Sequence, residues 1–533
     1  MSGCFHMDDF TSSIDYAIFR GKPMSNQTST FKSWKIVSYY TGYIIVGGAL
    51  IMLLPIITSL LFAEWNPALD FVISASITVI IGLLFLFFGR QTRQNKAYVQ
   101  WKHGFVVAAL SWIILMVLCS IPYRLSGHNN SLLNSCFDVM SGFTTTGLVL
   151  TQDLDHLSMG LNMWRHILTF VGGQGIVVLA LSLLVKETSG AYKLYVGEAK
   201  DIGLVPNIQG TARIIWKISL IYLAVGTLFL WIDGIAIGLQ PIPAFFHGLF
   251  IFCSSWSTGG FAPNTQNIMF YHSLSYECIT LVILILGSLN FGLHFAIWQG
   301  KKREIVKNIE MQSFMVTATI FSVLAVIGLS KIYPNAIAVF RRVVYNVLSA
   351  HTTTGFSNIY ARQFALEWGD FGNLILIIVM LIGGSACSTA GGFKGLRVGI
   401  VCKSIVAEVK KLLSSERNVK SYKYHHIKDY VLEDTVVKSS ALIILCYMVT
   451  FGIGTLLGCF YGYPLVDSAY ESASATGNVG LSIGVTTPDA PALLKIYYII
   501  AMYVGRLEFL SVFALIGCFI GGVKKVCLKL QKH

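Results

Sequence analysis

The chain has 533 residues, of which 54% are hydrophobic and only 12% charged, and its mean hydropathy is +0.66. An average soluble domain carries about 25% charged residues, so this composition excludes one and points to a lipid-embedded protein. The net charge of +13 raises the question of a nucleic-acid partner, which the placement of the charges answers.

Residues 1–35 are polar and lack the short apolar core and small-residue cleavage site of a signal peptide, so the first apolar stretch is expected to act as the targeting signal. Apolar stretches then recur at 36–63, 68–89, 104–123, 161–185, 212–235, 272–298, 311–332, 368–400, 435–460 and 492–520. Each offers the roughly 20 residues that a helix needs to cross a bilayer core of about 30 Å. The expectation is an all-α polytopic membrane protein with ten transmembrane helices. With the N-terminus inside, the segments 1–35, 90–103, 186–217, 300–313, 394–439 and 521–533 hold 31 of the 39 Lys and Arg. That is the positive-inside asymmetry, and it predicts both termini on the cytoplasmic side of a cell membrane. The excess charge then orients the chain against anionic lipid heads and calls for no nucleic acid. The eleven cysteines show no CxxC pair, so neither a disulfide framework nor a zinc site is indicated.

Four segments between helices align without gaps: FDVMSGFTTTGL from Phe137, FIFCSSWSTGGF from Phe250, YNVLSAHTTTGF from Tyr345 and YESASATGNVGL from Tyr470. Each opens on an aromatic residue, has Ser at its fifth place (Ser141, Ser254, Ser349, Ser474) and Gly at its eleventh (Gly147, Gly260, Gly355, Gly480). A single Thr-Thr-Thr-Gly is usually a turn or a helix end. Four copies, with glycines 113, 95 and 125 residues apart, all on the non-basic side, form an internal repeat. The first half of each is too short to span and must enter the membrane and return, which backbone does only where protein or a water-filled pore covers it. The second half, extended and rich in Gly and Thr, can aim carbonyl oxygens at a central axis. Four such strands make rings of carbonyls that replace the water shell of a cation, and the negative ends of the short helices add to the attraction.

Four helix–pore-loop–helix units on one chain, each with a filter glycine, resemble the Trk/Ktr/HKT superfamily of potassium transporters. The resemblance covers roughly 36–520. The extra helices 36–63 and 68–89, the segment TARIIWKISLIYL from Thr211 and GNVGL in the fourth loop are similar to the Trk branch (TrkH and TrkG). It implies a cytoplasmic segment 1–35, a two-helix unit 36–103, and pore repeats at 104–200, 201–303, 304–428 and 429–533. It implies a K+ filter formed by Thr144, Thr145, Thr146 and Gly147; Ser257, Thr258, Gly259 and Gly260; Thr352, Thr353, Thr354 and Gly355; and Gly477, Asn478, Val479 and Gly480. K+ is the transported ion, and no bound organic cofactor is expected. In the plant branch a Ser at the first filter glycine accompanies sodium selectivity; all four glycines are present here.

A second landmark comes about 25–28 residues after each filter glycine: GGQG from Gly172, GSLNFG from Gly287, GGSACSTAGG from Gly383 and GRLE from Gly505. The third interrupts its helix at mid-membrane. Read alone it is equally a hinge or a small-residue packing seam; its place below the third filter and its likeness to the intramembrane gating loop of Trk and Ktr proteins make it a gate. The gate residues are then Gly383, Gly384, Ser385, Ala386, Cys387, Ser388, Thr389, Ala390, Gly391 and Gly392, with Cys387 where the family usually has Gly. Arg506 lies at the same depth and either sets a charge barrier or holds the fourth unit together, with Glu471 or Glu508 as the expected partner. Asp138 is expected to attract cations at the outer mouth or to cap its helix, and His351 to pack.

No GxxxxGK[ST] and no GxGxxG between a strand and a helix is present, so nucleotide regulation must come from a partner. The resemblance implies a homodimer and a cytosolic TrkA/KtrA-type nucleotide-binding ring, with the basic segment 401–428 (Lys410, Lys411, Arg417, Lys420, Lys423) as docking surface or lipid-facing helix. The alternatives are a sodium-selective or Na+/H+-coupled transporter of the same superfamily, the potassium-binding subunit of a P-type ATPase complex and, from another class, a multi-pass membrane enzyme. The last lacks clustered acids, histidines or a nucleophile–base arrangement near one face.

Overall fold

The computed structural model describes residues 30–94, 100–129, 131–175, 178, 208–333, 335–413 and 421–530. Among them the regular elements are helices apart from one two-stranded hairpin. Helix α1 (Thr30–Ile51) runs on into α2 (Leu53–Leu61), and α3 (Trp65–Gly89) returns against α1. Glu64, in the turn between α2 and α3, accepts the N–H groups of Met159 at 2.9 Å and Gly160 at 3.1 Å. It thereby places a carboxylate at the positive start of a later helix and ties the first helix pair to that helix.

A pattern of long helix, short helix, loop and second helix then recurs. It runs α4 (Trp101–Cys119), α5 (Leu132–Phe143), α6 (Met159–Gln174); α7 (Ile208–Ala236), α8 (Pro241–Trp256), α9 (Leu274–Ser288), α10 (Phe291–Trp298); α11 (Ile309–Leu329), α12 (Tyr345–His351), α13 (Gly369–Leu381), α14 (Gly395–Leu412). The hairpin β1 (Lys423–His426) and β2 (Lys428–Val431) comes next, and α15 (Asp434–Phe460), α16 (Leu465–Gly477), α17 (Ala492–Arg506) and α18 (Leu510–Leu530) complete the series.

Among the described residues Ser33–Leu61, Trp65–Gly89, Trp101–Leu125, Gly210–Ala236, Ile309–Leu329 and Asp434–Phe460 are long and apolar enough to cross a membrane. The chain is a multi-pass membrane protein. Three spans expected to be straight, 161–185, 272–298 and 492–520, are not, and 368–400 is interrupted as its sequence predicts. The stretch 272–298 bends by 100° between α9 and α10, and 492–520 bends by 112° between α17 and α18. At the first bend the Asn290 side chain accepts the Gly292 N–H at 2.7 Å and so starts a new helix. At the second, Glu508 (φ 50°) and Phe509 (φ 69°) are left-handed, which a continuing helix does not allow. The stretch 368–400 is open between α13 and α14. The expected span 161–185 is helical to Gln174 and turns at Gly175 (φ 100°); most of its remainder lies outside the described residues.

Polarity is inverted relative to a water-soluble fold. Leu, Ile, Val and Phe cover the outside of α3, α11 and α15, while Thr144–Thr146, Ser257, Thr258, Thr352–Thr354 and Asn478 are wholly buried. Lipid solvates the apolar exterior, so the buried polar groups must bond to one another.

Candidate functional site: four repeat loops and the loop beneath them

The short helices α5, α8, α12 and α16 carry the repeat segments, and each ends in the same backbone device. In the first, Thr145 N–H donates to Gly142 O at 3.0 Å and Thr146 N–H to Ser141 O at 2.8 Å. In the second, Thr258 N–H donates to Ser255 O and Gly259 N–H to Ser254 O; in the third, Thr353 N–H to Ala350 O and Thr354 N–H to Ser349 O; in the fourth, Asn478 N–H to Ala475 O and Val479 N–H to Ser474 O. The repeated serine is thus the residue whose carbonyl receives the loop. A trans peptide points its N–H and C=O in opposite directions. With these N–H groups turned back on the helix, the carbonyls of the first two loop residues point away from it in all four copies.

The same alternation explains the residue types. Thr145, Thr258, Thr353 and Asn478, second in their loops, have φ of 53°, 51°, 57° and 55°; Gly147, Gly260, Gly355 and Gly480, fourth, have φ of 91°, 68°, 75° and 94°. Left-handed residues alternating with ordinary ones turn successive peptides to one side, where a strand would use both. The glycines also close a ring. A Cβ at Gly147 would fall 2.7 Å from Gly259 O, at Gly260 2.3 Å from Thr354 O, at Gly355 1.8 Å from Val479 O and at Gly480 2.1 Å from Thr146 O. Each loop lies against the next in the order first, second, third, fourth, first, with room for hydrogen only.

Asp138 and Glu471, second in their repeats, do not face an outer mouth. Asp138 accepts from Leu150 N–H (2.7 Å) and Thr151 Oγ1 (2.6 Å), and Glu471 from Ile483 N–H (3.1 Å) and Thr486 Oγ1 (2.8 Å). Both fasten the chain that rises after the loop. Asn346, at the same place in the third repeat, bonds Asn358. His351 packs, as expected, with Thr317 Oγ1 at 2.6 Å and the Phe314 ring at its edge.

Breaking of the second helix is a property of the whole repeat, not of the third unit alone, since α6, α9, α13 and α17 all end at the second landmark. Its glycines permit close approach. A Cβ at Gly172, Gly287 or Gly505 would lie 2.0–2.3 Å from the carbonyl oxygen of Phe143, Trp256 or Thr476, the last residue before the repeat loop in each unit.

Of the breaks bounded on both sides by described residues the third is the longest, and its chain lies against the four loops. Thr145 Oγ1 donates to Thr389 O (3.4 Å), Thr258 Oγ1 and Thr389 Oγ1 are 3.3 Å apart, and Gly391 N–H donates to Thr353 Oγ1 (2.7 Å). A Cβ at Gly391 would meet Asn478 Cβ at 2.6 Å. The second residue of every repeat loop therefore touches the 383–392 segment. Thr389 Oγ1 also donates to Gly287 O at 2.8 Å and Trp256 O at 3.0 Å. Gly383 and Gly384 pack within the segment against Gly391 and Ala390, and Ser385 N–H donates to Ser288 O at 3.0 Å.

Arg506 is held by carbonyls. Its guanidinium donates to Thr389 O and Ala390 O of the segment and to Gly172 O (2.9 Å) and Gly173 O (3.0 Å) of α6. Of the two acids expected beside it, Glu471 serves its own loop, and Glu508 pairs with Arg397 and lies 4.0 Å from Lys394. The open end of α6 supplies two of these acceptors, and the non-helical chain of the third break supplies the other two.

Comparison with known proteins supplies the family. The family model for TrkH, described as a cation transport protein, matches residues 71–517. The chain belongs to the TrkH family. It is 29% identical over 499 residues to the Trk system potassium uptake protein TrkH of Halomonas elongata, covering 91% of this chain and 98% of that one. It is 28% identical over 467 residues to an uncharacterized cation transporter of Methanocaldococcus jannaschii, covering 87% and 91%. The crystal structure of the potassium transporter TrkH from Vibrio parahaemolyticus superposes with a TM-score of 0.76 at 24% identity, over 90% of this chain and 98% of that one, and shares the fold. These relatives are named as transporters, and the enzyme alternative falls with them.

Sequence reasoning missed three participants. Glu310 accepts the Ala386 N–H, Asn290 donates to Ala386 O, and Asn267 donates to Gly260 O at 3.3 Å. Asn290 lies within the GSLNFG landmark, whereas Glu310 and Asn267 lie in no repeated motif. Of the basic segment 401–428, Lys410 and Lys411 end α14 and Lys423 begins β1, whereas Arg417 and Lys420 lie outside the described residues.

Proposed function

We propose that this protein carries K+ into the cell through a filter formed by Thr144–Gly147, Ser257–Gly260, Thr352–Gly355 and Gly477–Gly480, with 383–392 as a gate below it. The observation that carries the reading is the closed ring of glycine-to-carbonyl approaches among the four loops. The potassium uptake named for the Halomonas elongata relative supports the choice of ion. An ion entering from the non-basic side exchanges its water for carbonyl oxygens that are already aimed and need no rearrangement. The four short helices direct their negative ends at it. Beneath, the segment fastened to the second residue of each loop and to Arg506 obstructs the path, and passage requires it to move aside. Inward movement is driven by the membrane potential, about 2.3 kcal/mol per charge per 100 mV.

The basic loops face the cytoplasm in this reading, with both termini there, and the pore repeats divide at 104–200, 201–303, 304–428 and 429–533 behind the two-helix unit 36–103. A homodimer regulated by a cytosolic TrkA/KtrA-type nucleotide-binding ring docking on the basic face completes the system. Deletion of 385–391 is expected to raise rubidium flux into proteoliposomes in the absence of any regulatory subunit. Unchanged or lower flux in a folded protein refutes the gate, and rubidium uptake abolished by equimolar sodium refutes a potassium filter.

A further inference from the structure

Glu310 is a buried carboxylate in the first turn of α11. Asn308 Oδ1 accepts its N–H at 2.9 Å and caps the helix, so the Glu310 side chain is released for another purpose. Its Oε1 accepts the Ala386 N–H at 2.6 Å. Asn290 Nδ2 donates to Ala386 O at 2.7 Å and to Glu310 Oε2 at 3.3 Å. Both polar groups of one residue in the 383–392 segment are held by two side chains that also hold each other. The rest of the segment is bound from the opposite side by Thr145, Thr258, Thr353 and Arg506. Glu310 and Asn290 grip it from the basic end.

Behind Glu310 stands the hairpin. Along β1, Tyr424 and His426 point inward. Tyr424 packs with Ile309 and Ile400, and His426 Nδ1 lies 3.7 Å from Glu310 Oε2. Residues 309 and 310 thus connect the hairpin to the segment over a single helical turn.

We propose that Glu310 is a positioning residue for the gate, a latch that holds Ala386 closed from the basic end and joins the gate to the hairpin 423–431. The inference rests on the gate reading above. A hydrogen bond from a backbone N–H to a buried carboxylate is about twice as strong as a neutral one, and breaking it strands a charge. The segment therefore stays shut while the latch is made, and a displacement of the hairpin reaches it through one side chain.

Cys387, the next residue, is 5% exposed and reports on the latch without any measurement of flux. In the full chain, with its other ten cysteines of eleven replaced by Ser or Ala, Cys387 is labelled in detergent by a small methanethiosulfonate reagent and the rate read by mass spectrometry. Glu310→Ala is expected to speed labelling about tenfold, the scale of one hydrogen bond to a charged group. Glu310→Gln keeps an acceptor for Ala386 but not the charge, and should label at a rate between the parent and Glu310→Ala. Asn290→Asp keeps the cap on Gly292 but loses the donor to Ala386 O, and should also label faster, which serves if Glu310→Ala does not fold. The latch is overturned if these variants label at the parent rate, or if Gln behaves as Ala. An unchanged rate in His426→Ala removes the hairpin from it. Faster labelling alongside a loop deletion that leaves flux unchanged would keep the latch and discard the gate.

Discussion

Gly355 shows what the loops demand of a single residue. Its φ of 75° and the 1.8 Å that would separate a Cβ from Val479 O leave no alternative to glycine. In Gly355→Ser the left-handed backbone costs roughly 1–2 kcal/mol, and the third loop must also retreat from the fourth. A shift of that size changes discrimination about tenfold. The expected outcome is rubidium uptake that sodium inhibits about tenfold more strongly than in the parent, measured by competition in proteoliposomes; unaltered competition counts against the filter. Thr353 and its counterparts do two things at once, since they take the left-handed turn and also touch the 383–392 segment. Residue type was legible in the sequence at Gly355 because only glycine fits there. It was not legible at Arg506, whose acceptors in α6 lie 334 and 333 residues away.

Among the elements, the hairpin is the one that pH should affect. His425 Nδ1 lies 2.7 Å from Asp429 Oδ1 and Nε2 2.7 Å from Glu304 Oε2. The hydrogen bond to Asp429, then that to Glu304, raises its pKa above the ordinary 6.5, and Lys423 and Lys307 lie near Asp429. A raised folded value means that the contribution to stability is complete below about pH 6.5 and disappears as pH rises through the folded pKa. Docking of β1 and β2 against the Glu304 turn should therefore loosen as pH rises through that raised pKa. Amide exchange of 423–431, taken at each pH as the difference between parent and His425→Gln, checks this; a pH-independent difference refutes it. The helices were legible from apolar length alone, but the bends after Ser288 and Arg506 were not. Hydropathy runs unbroken through both, and what breaks them is the Asn290 cap and two left-handed residues.

Across the molecule, the units are held together by polar contacts inside an apolar sleeve. Glu64 is one such tie, between the first helix pair and the start of α6. Glu64→Ala removes an acceptor from two N–H groups at a helix start, a loss of about 1 kcal/mol. It should lower the melting temperature in detergent by a few degrees while leaving rubidium selectivity unchanged. A change in selectivity would mean that the pair reaches the loops as well.

The class, the fourfold repeat and the four glycines were all legible along the chain. These are local matters: apolar length is set by bilayer thickness, and a left-handed residue crowded by a neighbouring carbonyl excludes every side chain. The interrupted third helix was legible too. Folding in three dimensions was needed to bring the loops into cyclic order, to break all four second helices, and to turn Asp138 and Glu471 toward the rising chain. It was needed as well to bind Arg506 by carbonyls and Ala386 by Glu310 and Asn290. Those outcomes depend on which open backbone groups meet across hundreds of residues once water is excluded, and no pattern along the chain records such meetings.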